Sequence, residues 1–254
     1  MSKRIVKDHI DVDYRAVSRF FEDRGRNEDL AHKYNYVLFQ DENPDLAVQR
    51  DRQEKEKICG LLDLKPEQRV LDLGCGIGRW GEELCRRGLY YVGIDGSPAL
   101  IERGQKNLQA FSNKKLLVGL FQKFLDVLQE AGEQDQFDIV FVNGVFMYLN
   151  DRDFERALED IKRVCGIPCQ IYIKESMGVE ERLTLDRIYS EGLKQNYSAI
   201  YRSIAEYREA TTKVFGDAFK LSSEGELFDG SLHNRKETTD YYLIWKKFDV
   251  CTAR

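Results

Sequence analysis

The residues best suited to chemistry sit at two points about twenty residues apart. Gly74-Cys75-Gly76-Ile77-Gly78 leaves a short apolar run, Val70-Leu71-Asp72-Leu73, and opens a charged, helix-forming stretch from Arg79 to Arg87. Glycines in that place let a ligand approach the backbone closely and leave amide donors unpaired at a helix start. Asp95 closes the next apolar run, Tyr90-Tyr91-Val92-Gly93-Ile94. An acid at the end of a second strand can accept both hydroxyls of a ribose. Asp95 could instead serve only as a cap for the helix that starts near Ser97, but its pairing with the glycine loop favours an adenosine ligand.

The kind of adenosine ligand is set by finer detail. Gly76-Ile77-Gly78-Arg79-Trp80-Gly81 is a formal GxGxxG, so an NAD(P)-dependent oxidoreductase stays open as an alternative. Against it stands Asp72, two residues before the glycines, where a carboxylate would repel a pyrophosphate but suits an amino group and a sulfonium.

These residues must be positioned by a regular framework. Strands are expected at Val70–Leu73, Tyr90–Ile94, Lys115–Gly119, Phe137–Val142 and Gln170–Lys174, alternating with helices at Arg79–Arg87, Pro98–Ala110, Lys123–Ala131 and Asp151–Val164. That alternation implies a parallel sheet covered on both faces. Phe219–Leu221 and Tyr241–Trp245 follow with no helix between them, which implies an antiparallel pair. The fold class is therefore α/β: a doubly wound, mainly parallel seven-stranded sheet with an antiparallel last strand. Residues 1–54 read as an N-terminal helical lid, with helices at Val12–Arg24 and from Asp45 to about Leu62. Residues 55–254 read as the main domain, with a tyrosine-rich helical insertion at about 179–215.

With the framework in place, Val70 to Gly78 resembles the nucleotide-binding signature of class I S-adenosylmethionine-dependent methyltransferases, which are Rossmann-like. Val92-Gly93-Ile94-Asp95-Gly96-Ser97 resembles their second signature and Phe137-Asp138-Ile139-Val140 their fourth strand. The resemblance runs from about Lys55 to Trp245. It implies S-adenosyl-L-methionine as cofactor and S-adenosyl-L-homocysteine as product. By it, Asp72 orients the methionine amino group, the backbone from Gly74 through Cys75 and Gly76 to Gly78 lines the cofactor, and Asp95, with Gly96 and Ser97, holds the ribose. Leu120 and Phe121 flank the adenine, although an acidic residue often found there is replaced by Gln122. Asn143 faces the sulfonium end, and Arg79 and Trp80 close over the carboxylate.

The acceptor belongs beyond the carboxyl ends of the strands. That places Tyr148, Lys174 and Arg235 near it, with Tyr36, Tyr201 and Arg202 as further contacts from outside the sheet. His233 and Glu175 are the two candidate bases, each weighed against surface placement or an ion pair. The expected reaction is methyl transfer to an oxygen or nitrogen of a small soluble metabolite, such as a sugar, a nucleotide-linked or surface-polysaccharide precursor, or a secondary metabolite. A non-catalytic cofactor-binding or scaffold protein with the same fold is the other alternative.

Bulk properties narrow the class further. A net charge of −5 with bases and acids interleaved makes nucleic acid a poor partner. There is no apolar run of the roughly 18 residues needed for a bilayer, and no secretion signal, so a cytoplasmic protein without a membrane partner is expected. The six cysteines form no CxxC pair, so free thiols and no metal site are expected. Oligomeric state is open, a homodimer being one option.

Overall fold

The structure, a computed structural model, describes residues 3–233 and 235–248. In chain order it begins with β1 (Lys3–Val6), α1 (Tyr14–Arg26), α2 (Asn35–Leu38) and α3 (Pro44–Leu61). Next come β2 (Arg69–Leu73), α4 (Arg79–Arg86), β3 (Tyr90–Asp95), α5 (Pro98–Asn107), β4 (Lys114–Val118) and α6 (Phe124–Glu130). The remainder is β5 (Phe137–Asn143), α7 (Asp151–Val164), β6 (Cys165–Gly178), β7 (Leu183–Ser190), β8 (Gln195–Tyr201), α8 (Ile204–Phe215), β9 (Lys220–Glu226) and β10 (Thr238–Lys247).

The central sheet has seven strands in the order β4-β3-β2-β5-β6-β10-β9. From β4 to β6 the pairs are parallel, and β10 runs antiparallel to both β6 and β9. This is the fold class expected from the sequence, with the antiparallel last strand in place. The chain moves outward from β2 to β4 and then returns to the other side of β2 as β5. A crevice is left beyond the carboxyl ends of β2 and β5, where open α/β sheets bind their ligands.

Period-two alternation explains why the strands hold. Leu71, Leu73, Val92, Ile94, Val140 and Val142 pack on one face against α6, α7 and α8. Val70, Tyr91, Ile139, Phe141 and Tyr172 pack on the other against α3, α4 and α5.

The segment before the last two strands differs from expectation. Only α8 is helical; residues 183–201 form the hairpin β7–β8, joined by β1 into a separate three-stranded sheet. The tyrosine spacing suggested a helix, but Leu183 and Leu185, and Tyr197, Ala199 and Tyr201, alternate with period two and bury one face with α1. The boundary expected at residue 54 falls inside α3, a continuous helix that starts at Pro44 behind an Asn43 cap. Among the described residues no helix is long and apolar enough to cross a membrane.

Candidate active site

The loop between β2 and α4 is shaped by glycine. Gly74, Gly76 and Gly78 have φ of 78°, 54° and 71°, a region other residues rarely adopt. A Cβ on Gly74 would collide with Val145, and one on Gly76 with Val37. The loop is fixed to β3 by amides of Gly74 and Cys75 donating to the Ile94 carbonyl at 2.8 and 3.0 Å. Asp95 completes the tie: its carboxylate accepts from the amides of Gly76 and Ser97 at 2.9 and 2.8 Å. Burial pushes the Asp95 carboxyl upward against those two amides.

A cavity of about 790 Å³ lies over this loop. It is lined by Gly74, Gly76, Asp95, Gly96 and Ser97, by Leu120 and Phe121, and by Asn143 and Tyr148. The roof is the N-terminal segment, through Tyr14, Arg15, Arg19 and Phe21 of α1 and through Val37 and Phe39. Helix α1 is docked there by Glu22, which accepts from the Ser97 hydroxyl and the Ala99 amide at the start of α5. The sequence points to an N-terminal helical lid over this face but does not single out its lining side chains; the arginines at 15 and 19, one helical turn apart, are the only local signal for them.

The cavity suits a nucleoside with an amino-acid tail. An ionised carboxylate has about four acceptor sites, of which Asp95 uses two on backbone amides, leaving room for ribose hydroxyls. Leu120 is 48% exposed, an apolar surface for a flat ring to cover.

Five residues expected at the cofactor do not line this cavity: Asp72, Cys75, Gly78, Arg79 and Trp80. Asp72 lies on the same face of β2 as Val70, beneath α4, where it accepts from the Tyr91 hydroxyl at 2.6 Å. Burial pushes its carboxyl up to about 7, although that hydrogen bond pulls the other way. Arg79 is buried and paired with Asp51 and Glu54 of α3, each at 2.8 Å. Trp80 packs on Phe141 and Tyr172. The Asp72, Arg79 and Trp80 side chains tie α4 and α3 to the sheet.

Behind Asn143, Gly144 and Tyr148 the cavity adjoins a smaller chamber of about 70 Å³. Its polar lining comes from distant elements: Arg50 of α3, Lys174 and Ser176 of β6, Tyr148, Tyr197 of β8, Arg235 and Asp240. Asp240 pairs with Lys174 at 2.8 Å and accepts from the Ser176 hydroxyl at 2.9 Å. Although burial pushes upward, Lys174, Arg235 and Arg50 hold the Asp240 carboxyl down at about 2. The Tyr148 and Tyr197 hydroxyls share a hydrogen bond of 2.8 Å, and burial pushes both phenols upward. An outer cavity of about 640 Å³, between β7–β8 and residues 39–43, shares Phe39, Tyr197 and Arg235 with this chamber and also reaches Tyr201.

Thus Tyr148, Lys174, Tyr201 and Arg235 are brought to the second chamber or its outer extension, whereas four other expected residues are not. Glu175 points away from both cavities, and its carboxylate accepts from the amides of Val145, Phe146 and Met147. With its oxygens committed to the backbone it is corrected from base to loop anchor. Arg202 is likewise buried, donating to the carbonyls of Phe146 and Leu149 and to Asp151. Tyr36 is buried with its hydroxyl on the Asn27 carbonyl, and His233 lines neither the cavity nor the chamber. Arg50 and Asp240 had not been singled out, because nothing local in sequence distinguishes them from other surface charges.

Residues 70–166 match the family model described as a methyltransferase domain, Methyltransf_25. Residues 70–166 therefore carry a methyltransferase domain, set in the fold of class I S-adenosylmethionine-dependent methyltransferases. Phosphoethanolamine N-methyltransferase 1 of Zea mays is 23% identical over 206 residues, covering 79% of this chain and 39% of that protein. A 23S rRNA (uracil(1939)-C(5))-methyltransferase of Klebsiella pneumoniae is 42% identical over 84 residues, 32% of this chain and 19% of that protein. The chain thus spans less than half the length of these curated relatives. The solved structure of Haemonchus contortus phosphoethanolamine N-methyltransferase 1, in complex with phosphoethanolamine and S-adenosylhomocysteine, superposes with a TM-score of 0.68. Identity is 16%, and the match covers 94% of this chain and 50% of that one, a likeness of fold.

Proposed function

We propose that this protein transfers the methyl group of S-adenosylmethionine to a small molecule bearing an anionic group. The observation that carries this is the junction at Asn143, Gly144 and Tyr148, where the large cavity over the glycine loop meets a chamber lined by Arg50, Lys174 and Arg235. On this reading Asp95 holds the ribose, Leu120 and Phe121 flank the adenine, and Asn143 and the backbone at Gly74 and Gly76 face the methionine end. The cofactor supplies an electrophilic methyl group on a sulfonium. The chain's own residues align the acceptor with it and exclude water, which is most of what such a transfer needs. The first 54 residues and the β7–β8 hairpin serve as cover for the two ligands, α1 over the cofactor and the hairpin over the acceptor.

The test is calorimetric titration of S-adenosylhomocysteine into the wild type, Asp95→Asn and Leu120→Asp. Micromolar or tighter binding, weakened in both variants, is expected. No binding of it, with NADH binding instead, would overturn the reading.

A further inference from the structure

Resting on the function proposed above, we infer that the acceptor nucleophile is itself an oxyanion: the protein methylates an oxygen of a phosphate monoester or of an unesterified phosphonate. The inference comes from what the chamber contains. Arg50, Lys174 and Arg235 face one carboxylate, Asp240, so the chamber carries a net charge of about two positive units. A dianion matches that charge, whereas an amine would arrive as an ammonium and be repelled.

Proton transfer points the same way. Transfer to an alcohol or an amine requires a base that takes up a proton near neutral pH. Among the described residues lining the chamber there is no histidine, and Asp240 is the sole carboxylate. Asp240 is held at about 2 by its three cationic neighbours, too acidic for that task. The phenols of Tyr148 and Tyr197 are hydrogen-bonded to each other and pushed upward by burial, so they stay protonated. Glu175, the nearest other acid on β6, is turned onto backbone amides.

An oxyanion needs none of these groups. A lone pair on its oxygen forms the new bond to the methyl carbon as the carbon–sulfur bond breaks, and that electron pair stays on sulfur. The sulfonium becomes a neutral thioether, one negative charge on the acceptor is lost, and no proton moves. The chamber, at about 70 Å³, accommodates the oxyanion group itself, and the adjoining outer cavity of about 640 Å³ accommodates the remainder of the acceptor. The methylated product has one negative charge fewer and is held less tightly by the same cations, which favours its release.

The experiment has two arms. In the first, methylphosphonate and inorganic phosphate are titrated into the protein loaded with S-adenosylhomocysteine, for wild type, Arg235→Gln and Asp240→Asn. Saturable binding is expected, weakened at least about tenfold by Arg235→Gln and strengthened by Asp240→Asn, since removing the carboxylate raises the net positive charge. A packing defect would weaken both variants, and that result would overturn the assignment. In the second arm, 2-aminoethyl phosphate and 2-aminoethylphosphonate are incubated with cofactor carrying a 13C-methyl group, at enzyme in excess. The expected product signal is an O-methyl resonance split by phosphorus. An N-methyl resonance, or binding with no phosphorus-coupled methyl signal, would overturn the inference. So would loading with S-adenosylhomocysteine but no saturable binding of either anion, which leaves the cofactor reading intact. Failure to bind S-adenosylhomocysteine at all would sink both.

Discussion

Glu175 and Arg202 grip one loop from opposite sides. Glu175 accepts the amides of Val145, Phe146 and Met147 at 2.8, 2.9 and 3.2 Å, while Arg202 donates to the carbonyls of Phe146 and Leu149 at 2.9 and 2.7 Å. The loop so fixed carries Gly144 and Tyr148, which line both the large cavity and the chamber. Glu175, expected as a base, and Arg202, expected as a substrate contact, are therefore positioning residues, acting through the backbone they hold.

That relationship sets the first expectation. Glu175→Gln keeps one acceptor oxygen but turns an amino group toward an amide, and should cost about 1–3 kcal/mol of stability. Arg202→Met leaves Asp151 with Arg182 but strands the carbonyls of Phe146 and Leu149, and should cost about 1–3 kcal/mol. Urea denaturation measures both losses. Hydrogen exchange should show the amides of residues 145–147 losing protection in Glu175→Gln well before the sheet opens.

Cofactor affinity is the second. Asp95→Asn should weaken S-adenosylhomocysteine by roughly ten- to a hundredfold, or ~1.4–2.7 kcal/mol, through the lost charge-assisted bonds to ribose. Leu120→Asp should give a loss of similar size with unchanged melting temperature in the absence of ligand, because that side chain is exposed. A normal titration for Leu120→Asp would remove the adenine from this end of the cavity.

The third concerns pH. The Asp72 carboxyl has an ordinary value of 3.8 and is raised to about 7 in the folded chain, chiefly by burial. Between those values the unfolded chain has released a proton that the folded chain keeps, so stability falls as pH rises through the window and levels off above it. Asp72→Asn keeps an acceptor for Tyr91 but cannot ionise. Its melting temperature should vary less between pH 4 and pH 7 and exceed that of the wild type at pH 8, by on the order of several degrees. Equal slopes in the two proteins would contradict the assignment.

The fourth follows from Arg79, which joins α4 to α3 through Asp51 and Glu54. Arg79→Met leaves buried Glu54 without a salt-bridge partner among the described residues, at a cost of about 3–5 kcal/mol. Because the guanidinium does not line the cofactor cavity, affinity for S-adenosylhomocysteine in the surviving folded fraction should be near normal. A selective loss of affinity with unchanged stability would return Arg79 to a ligand-binding role.

The parts of this molecule that were legible beforehand are those whose cause is local. Val70 to Gly78 announces a strand and a turn that demands positive φ, with a helix following from Arg79, and Tyr90 to Asp95 announces a second strand closed by an acid. The hairpin at 183–201 was misread because Tyr197 and Tyr201 stand four apart, a spacing shared by helices and by alternate pairs in a strand. The chamber was legible only in part. Lys174, Tyr148 and Arg235 follow from strand ends, but Arg50 reaches it from a helix more than a hundred residues earlier in sequence, and only the folded sheet brings the four together. Asp72 shows a subtler limit: its position two residues before the glycines is plain in sequence, but not that the pleat of β2 turns its carboxylate onto the Tyr91 hydroxyl.

The two tryptophans give the molecule a built-in division of optical labour. Trp80 is buried on one face of the central sheet and Trp245 on the other, and neither lines the cofactor cavity or the chamber. The phenols of Tyr148, Tyr197 and Tyr201, by contrast, run as a hydrogen-bonded line along the acceptor side. Tryptophan emission therefore reports the integrity of both packed layers, while tyrosine difference absorbance, sensitive to the phenol environment, is expected to follow ligand arrival. Folding and occupancy can then be tracked in one cuvette without a label.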